Sequence, residues 1–291
     1  MRKVDLHIHT NASSDGEHTP REIFLMAEKI NLCAISFADH NNINNIKEGM
    51  KFSEKFKIEF IPSVEINTVS ENRDIHLLAY FIDPDNKNLN DWLEEILEKK
   101  KIQAYGRYKK LVELGFKLNY EDVLKFSYGG IPTGASYLKA IMLHPENLSD
   151  PRLAPYINGD RSDSPYLNFY LDYLRLGKPA AYPIEITKTE EAIERVREMK
   201  AIPVIAHPTD IPESMIKRFI KYGLLGLEVF CSYHDVEKIR FYGKIAKRYN
   251  LIMTAGSDFH GRTIKPNVKL GGIKGNSYRI VEKLKEIKKK L

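Results

Sequence analysis

The stretch VDLHIHTNASSDGE, residues 4–17, sets His7 and His9 two positions apart in an apolar run, with Asp5 in step before them and Asp15 shortly after. Side chains alternate along a strand, so Asp5, His7 and His9 share one face while Leu6 and Ile8 share the other. The apolar face can pack under a helix. The polar face must then line a polar cavity or bind something. Two neutral imidazoles side by side have the spacing of metal ligands, and Asp5 is placed behind them to orient one. An H-x-H pair alone reads more readily as two ordinary hydrogen-bonded histidines, so the remaining strands have to decide.

Those strands are the apolar runs LCAISFA (32–38), IEFIPSVE (58–65), HLLAYFI (76–82), IPVIAH (202–207), LLGLEVF (224–230) and LIMTAGS (251–257). With the first run they make seven, most followed by a helical pattern and mostly apolar on both faces, as a parallel α/β layout requires. In a parallel barrel the site is built at the C-terminal ends of the strands. There the sequence puts Asp39-His40, Glu65, His207, Asp258 and His260. His76 fits less well, because it opens its run, and by spacing alone it could be structural. His18, His144 and His234 do not share the arrangement. Core histidines would be scattered along strands, so the coincidence at strand ends points to a metal cluster.

The donors are imidazoles and carboxylates without a thiolate. That suits Zn, Mn or Fe and disfavours Cu(I) or an iron–sulfur cluster. His7, His9, Asp15, His40, Glu65, His76, His207, Asp258 and His260 are too many for one ion, so two or three ions sharing a carboxylate fit better. Such a centre acidifies water and clamps both oxygens of a displacement at phosphorus.

The chain of 291 residues is 43% hydrophobic and 29% charged, enough for a large core and unlike a disordered chain. No apolar run is long enough to span a membrane. The start goes straight into pattern without a signal-peptide layout, and Cys33 and Cys231 sit in apolar runs, so the expectation is a cytoplasmic protein. The net charge of +6 fits either a solvated basic surface or attraction of a phosphate-bearing substrate. Helix starts are signalled by Thr19-Pro20-Arg21-Glu22 and Thr187-Lys188-Thr189-Glu190. Ile280, Leu284, Ile287 and Leu291 mark one face of a last helix. Between 84 and 181 the strand rhythm stops. NLNDWLEEILEKKK, NYEDVLKF and YLNFYLDYLRLG read as helices, which makes this segment a helical insertion. Tyr166, Phe169, Tyr170 and Tyr173 fall at helical spacing there and suit a core better than a base-stacking platform, and Tyr156 accompanies them.

The motifs DLHIHTNASSDG, FADHN, VEIN, HLLAYFID, IAHP, LEVFCSYH and TAGSDFHG together resemble the PHP (polymerase and histidinol phosphatase) superfamily. SDGEHTPREI, HLLAYFIDP and GSDFHG with KPNVKLG are most similar to its TrpH/RNase AM group of phosphoesterases. The resemblance implies a distorted (β/α)7 TIM-like barrel from 1–83 and 182–291, with a helical insertion or cap at 84–181. It implies three ions, typically Mn, with Zn or Fe also found. His7, His9, Glu65 and Asp258 would hold one, Glu65 with His76 and His207 a second, and Asp15, His40 and His260 a third. The implied activity is hydrolysis of the 3'-phosphate of nucleoside 3',5'-bisphosphates, or 5'-3' trimming of short 5'-phosphorylated RNA, by a metal-bound hydroxide held by the cluster with Glu65 and Asp258. The partner is then a small phosphorylated substrate, with neither a membrane nor a protein partner indicated.

Two departures stand out. The Arg-Pro-His element common in close relatives aligns with GGIPTGASYLKAIML (129–143), where Ile131, Pro132 and Thr133 stand instead, and the common DHDT reads DHNN. Replacement cations for a phosphate are Arg161, Lys178 and His234, each more readily read as a solvated surface charge. Three alternatives stay open: a histidinol-phosphatase-type enzyme, a non-enzymatic metal-binding PHP module, and an amidohydrolase-type barrel. The last usually adds a lysine at a strand end, and none is found here.

Overall fold

The computed structural model describes residues 2–13, 15–127 and 130–291, so Ser14 of the opening stretch and Gly129 of the 129–143 stretch lie outside the described residues. The first half runs β1 (Lys3–Ile8), α1 (Pro20–Lys29), β2 (Leu32–Phe37), α2 (Ile46–Phe56), β3 (Glu59–Phe60), β4 (Ser63–Ser70) and β5 (Arg73–Tyr80). Among the described residues, helices then follow without a strand: α3 (Lys87–Glu113), α4 (Tyr120–Lys125), α5 (Gly134–Met142), α6 (Pro145–Leu148), α7 (Ala154–Ile157), α8 (Pro165–Phe169) and a π-helical turn over Tyr170–Leu174. The strand–helix rhythm resumes with α9 (Thr189–Glu198), β6 (Ile202–Ile205), α10 (Glu213–Lys221), β7 (Gly226–Phe230), α11 (Val236–Arg248), β8 (Ile252–Ala255) and α12 (Arg279–Lys288).

The strands form two sheets, β1-β2-β3 and β4-β5-β6-β7-β8. Among the described residues no continuous ladder runs round the molecule, so the hydrogen bonding does not show the expected barrel closed. Single bridges join the sheets instead, Ile8 with Phe259 at one edge and His40 with Glu65 at the other. At the first edge His9 N–H donates to Phe259 O (2.9 Å) and Asp258 N–H to His7 O (2.9 Å).

The expectation of seven mostly parallel strands also needs correction. IEFIPSVE divides into β3 and β4, and β5 is antiparallel to both β4 and β6. The cause is a two-residue link: Ser70 pairs with Arg73, and Glu71 (φ 48°) and Asn72 (φ 59°) both take the left-handed conformation. That is the backbone of a tight hairpin, whereas a parallel connection needs a dozen or so residues. Glu-Asn lacks the glycine that usually announces such a turn, so the pattern was silent.

Two apolar clusters fill the body. One lies under α1, α2 and α9–α11 and includes Phe24, Phe37, Phe60, Leu77 and Phe219; the other packs α12 (Ile280, Val281, Leu284) against Val4, Leu6 and Val204. Each fully buried side chain of this kind stabilises by roughly 1.5–3 kcal/mol. A third cluster lies wholly within the helical segment, around Leu111, Phe116, Tyr137, Leu138, Phe169 and Leu174. It absorbs Tyr156 and Phe169, with Tyr166, Tyr170 and Tyr173 packed on its edge, as helical spacing led one to expect. Helix α3 serves both bodies: Leu89, Trp92, Leu93 and Ile96 enter the first cluster, and Leu111 the third.

The capping box at Thr19 is present, with Glu22 N–H donating to Thr19 Oγ1 (3.3 Å) and Thr19 N–H to Glu22 Oε2 (2.8 Å). The one expected at Thr187 is not: α9 begins two residues later, and Thr187 Oγ1 accepts from the Trp92 indole (3.2 Å). Cys33 and Cys231 are unbonded to each other. Among the described residues no helix is long and apolar enough to cross a membrane.

Candidate metal centre

β1 delivers His7 and His9 fully buried, and the backbone around them leaves no room to move. A Cβ on Gly256, just past β8, would lie 2.1 Å from the His7 Cβ and 2.4 Å from Glu228 Oε1. Only glycine lets this turn press against β1. Two donors of the cluster, His207 (φ 26°) and Asp258 (φ 57°), and its neighbour Asn41 (φ 50°) sit at positive φ. Such backbone costs about 1–3 kcal/mol per residue and persists where the surroundings over-determine it, commonly at functional sites.

All nine candidate donors converge. His9, Asp15, His40 and His260 form one group, His7, Glu65 and His207 another, His7, His9 and Asp258 a third, and His40, Glu65 and His76 a fourth; within each, donor atoms lie within 4.8 Å of one another. Glu65, fully buried, stands at the middle. Its Oε1 is 2.9 Å from His76 Nδ1, 3.0 Å from His207 Nε2 and 3.5 Å from His7 Nε2; its Oε2 is 2.8 Å from His40 Nδ1 and 3.4 Å from His9 Nε2. His76 is drawn in because β5 runs backwards: Leu77 pairs with Ile205, so the entry of β5 lies beside the exit of β6, where His207 follows. The strand that seemed to break the strand-end rule obeys it with its direction reversed.

The fit to cations is tested by the donors' own bonding. Asp15 Oδ1, His40 Nδ1, Glu65 Oε2 and Asp258 Oδ1 are buried and have no hydrogen-bond partner. A buried polar atom left unsatisfied costs about 1–3 kcal/mol, so four together in one cluster fit a site that takes cations. His40 Nδ1 and Glu65 Oε2 are close but wrongly angled to bond each other. The ring nitrogens His7 Nε2 and His9 Nε2 face each other at 3.2 Å while their Nδ1 atoms are engaged elsewhere. Imidazoles and carboxylates so arranged are a donor set that suits divalent ions.

The supporting residues were largely missed from sequence. Asp5 does not orient a ring: it accepts from Ser257 N–H (2.8 Å), Ser257 Oγ–H (2.6 Å) and Gly271 N–H (2.7 Å), fastening the loop after β8. The orienting carboxylate is Glu228 on β7, whose oxygens lie 3.1 and 3.2 Å from His7 Nδ1 and accept from His207 N–H (2.9 Å). A lone glutamate in an otherwise apolar buried strand was the available signal. His9 is held by Ser13, whose Oγ accepts from His9 Nδ1–H (3.1 Å) and His40 N–H (2.9 Å) and donates to Asp39 Oδ1 (3.0 Å). Both rings therefore present Nε2 inward. Lys265 and Tyr233 also reach the cluster, each bonded to Asp258 Oδ2.

Electrostatics follow. Burial pushes Glu65 upward, yet His76, His7 and His40 outweigh it and hold the carboxylate well below its ordinary range. Asp258 is lowered likewise, against burial, by Lys265, His260 and His7. Burial, with His9 and Lys265 nearby, keeps His260 neutral far below the usual imidazole value.

The substrate cations expected from sequence are committed elsewhere. Arg161 pairs with Asp172, its Nε 3.1 Å from Oδ2. Lys178 is exposed and faces Asp172. His234 is buried, with ring nitrogens 2.8 and 2.9 Å from Val229 O and Pro208 O, and stacks on Tyr242. Two other cations of the helical segment stand beside the start of β5. Asp74, two residues before His76 on β5, accepts from Tyr170 O–H (2.9 Å) and faces Lys100. Lys100 and Arg107 lie two turns apart on one face of α3, and burial with Arg107's charge pushes the Lys100 amine down to about 8. Arg107 lies over Tyr170 (5.8 Å) with its Nε buried and unpartnered.

The PHP domain family matches residues 5–139. The chain is similar to the phosphoribosyl 1,2-cyclic phosphate 1,2-diphosphodiesterase of Eggerthella lenta (22% identical; 89% of this chain, 94% of the relative). It is also similar to the 3',5'-nucleoside bisphosphate phosphatase of Chromobacterium violaceum (25%; 89% and 88%) and a 5'-3' exoribonuclease of Haemophilus influenzae (28%; 89% and 90%). In architecture it matches an amidohydrolase from Chromobacterium violaceum solved with sulfate and no metal (TM-score 0.81, 20% identical, 98% of this chain and 96% of that one). Residues 5–139, which carry His7, His9, Asp15, His40, Glu65 and His76 of the cluster, are thus the part of the chain that matches the PHP domain family.

Proposed function

We propose that the chain hydrolyses the 3'-phosphate of nucleoside 3',5'-bisphosphates, and trims short 5'-phosphorylated RNA from its 5' end, at a centre of two or three divalent ions. Mn is the first choice of metal, with Zn or Fe as alternatives. The observation that carries this reading is the convergence of nine donors with four buried donor atoms unsatisfied. His7, His9 and Asp258 would hold one ion with Glu65; His76 and His207 a second, shared through Glu65; Asp15, His40 and His260 a third. Ions bound there supply Lewis acidity to phosphoryl oxygens and make water acidic enough to attack near neutral pH. Glu65 would be shared between cations, because one of its oxygens faces His76 and His207 and the other His40 and His9. Glu228 and Ser13 hold the rings of His7 and His9 with Nε2 inward. Residues 1–83 and 182–291 are read as a distorted barrel carrying the centre, and 84–181 as a cap over its mouth, a division supported by the separate third apolar cluster. The partly buried Lys100 and Arg107 of that cap suit a substrate with a second phosphate.

The test is release of phosphate from adenosine 3',5'-bisphosphate and of mononucleotide from a short 5'-phosphorylated RNA by Mn-loaded protein. Histidinol phosphate and phosphoribosyl 1,2-cyclic phosphate serve as competitors. Turnover of either competitor well above the nucleotides, or no release from any substrate with metal confirmed bound, overturns the reading.

A further inference from the structure

Asp258 is divided between two environments. Its Oδ1 is buried without a hydrogen bond and lies 3.0 Å from His9 Nε2 and 3.5 Å from His7 Nε2. Its Oδ2 accepts from Lys265 Nζ (2.6 Å) and Tyr233 O–H (2.5 Å). Lys265 arrives from the loop after β8, where Lys265 N–H donates to Gly261 O (3.0 Å), and its ammonium lies over the Tyr233 ring (5.4 Å). Tyr233 in turn meets the ring of His207 edge-on at 5.8 Å, and so touches both Asp258 and another donor of the cluster.

We propose that Lys265 and Tyr233 are positioning residues that engage the outer oxygen of Asp258 and make this carboxylate a one-oxygen ligand to a single ion. This rests on the metal-centre reading above. A carboxylate can bind one ion with one oxygen, one ion with both, or bridge two ions. The second and third modes require Oδ2, and two strong donors occupy it. Charge-assisted hydrogen bonds are roughly twice as strong as neutral ones, so the ammonium is a firm restraint. The left-handed backbone at Asp258 aims the group, and the two donors prevent it from turning about its own axis. Glu65 has no such restraint: its Oε1 faces His76 and His207, its Oε2 faces His40, and neither oxygen is taken by a cation or hydroxyl of the chain among the described residues. Bridging therefore falls to Glu65, and Asp258 serves the ion nearest His7 and His9.

The experiment measures Mn²⁺ affinity of metal-free protein by calorimetry, without substrate, in Lys265→Met, Lys265→Arg and Tyr233→Phe. Partners that orient a metal ligand typically contribute about 10–100-fold to affinity. Lys265→Met and Tyr233→Phe should each lose affinity at one class of site within that range. Lys265→Arg, which keeps the cation and its donors, should recover most of the loss. Thermal melts of the metal-free proteins check that each variant folds, and Tyr233→Phe carries the test if Lys265→Met does not. Wild-type binding with unchanged affinity in the variants overturns this inference alone, as do equal losses in Lys265→Met and Lys265→Arg. Absence of Mn²⁺ binding by the wild type overturns the metal-centre reading and this inference with it.

Discussion

Glu65→Gln is the sharpest perturbation of the site. The substitution keeps the shape of a fully buried side chain and removes one negative charge from the centre of five imidazoles. At the 3.5 Å separation from His7 Nε2, a unit charge pair is worth about 5 kcal/mol at an effective dielectric of 20. Removing one partner of a buried pair costs about 3–5 kcal/mol by experience with other proteins. The two figures agree, and 1.4 kcal/mol is a factor of ten, so cation affinity at the ions sharing Glu65 should fall about 10²–10⁴-fold. The amide also offers N–H₂ where an acceptor is needed, which prevents compensation by the same atoms. The assay is Mn²⁺ content by elemental analysis after dialysis, with calorimetry for the affinity and a thermal melt to confirm folding. A folded variant that binds Mn²⁺ within tenfold of the wild type would show that Glu65 does not hold the cations.

Three further outcomes are expected. Glu228→Gln should weaken Mn²⁺ binding by about 10–100-fold, because the ring of His7 loses its orienting carboxylate; unchanged binding would assign Glu228 a purely structural role. Without ions His9 titrates at about 9: burial opposes the charge, but Asp258 and Glu65 outweigh it. Bound cations must displace that proton, so Mn²⁺ affinity should rise with pH up to about 9, by up to roughly tenfold per unit for one proton; a flat profile above pH 6.5 refutes it. The same raised value stabilises the metal-free fold fully below the ordinary imidazole value of 6.5, and this contribution is lost as pH rises through about 9. Finally, Lys100→Met with Arg107→Met should lower the ratio of kcat/KM for adenosine 3',5'-bisphosphate over adenosine 3'-monophosphate by at least about tenfold, as expected for losing a charged hydrogen bond or two. A ratio left as in the wild type would remove these cations from the substrate site.

The convergence of the candidate donors was legible because residue types that suit a metal stand out at single positions. His7 and His9 alternate with apolar residues, and Glu65, His207 and Asp258 end apolar runs, so local pattern was enough. What escaped was set by distance in sequence. Glu228 meets His7 across 221 residues, and no local spacing encodes that pairing. The reversal of β5 was hidden in Glu71-Asn72, a turn whose left-handed backbone is adopted without glycine. Lys265 lies in a loop with no periodicity, so its bond to Asp258 appears only when the loop folds back. Arg161, Lys178 and His234 were chosen by chain order near the mouth. Their nearest neighbours in space, Asp172 for the first two and two backbone carbonyls for the third, decided otherwise.

The two sheets meet through solitary bridges at both edges, and the metal donors are shared out across those edges. His7, His9 and His40 belong to the three-stranded side, whereas Glu65, His76, His207 and Asp258 belong to the five-stranded side. Any cation gripped from both sides is a staple across a seam that the polypeptide's own ladder leaves open. Cations bound there would double as a hoop. Loading them should slow amide exchange at His9 and Asp258, the seam's own hydrogen bonds, before it slows exchange in the helices around Leu111, Tyr137 and Leu138.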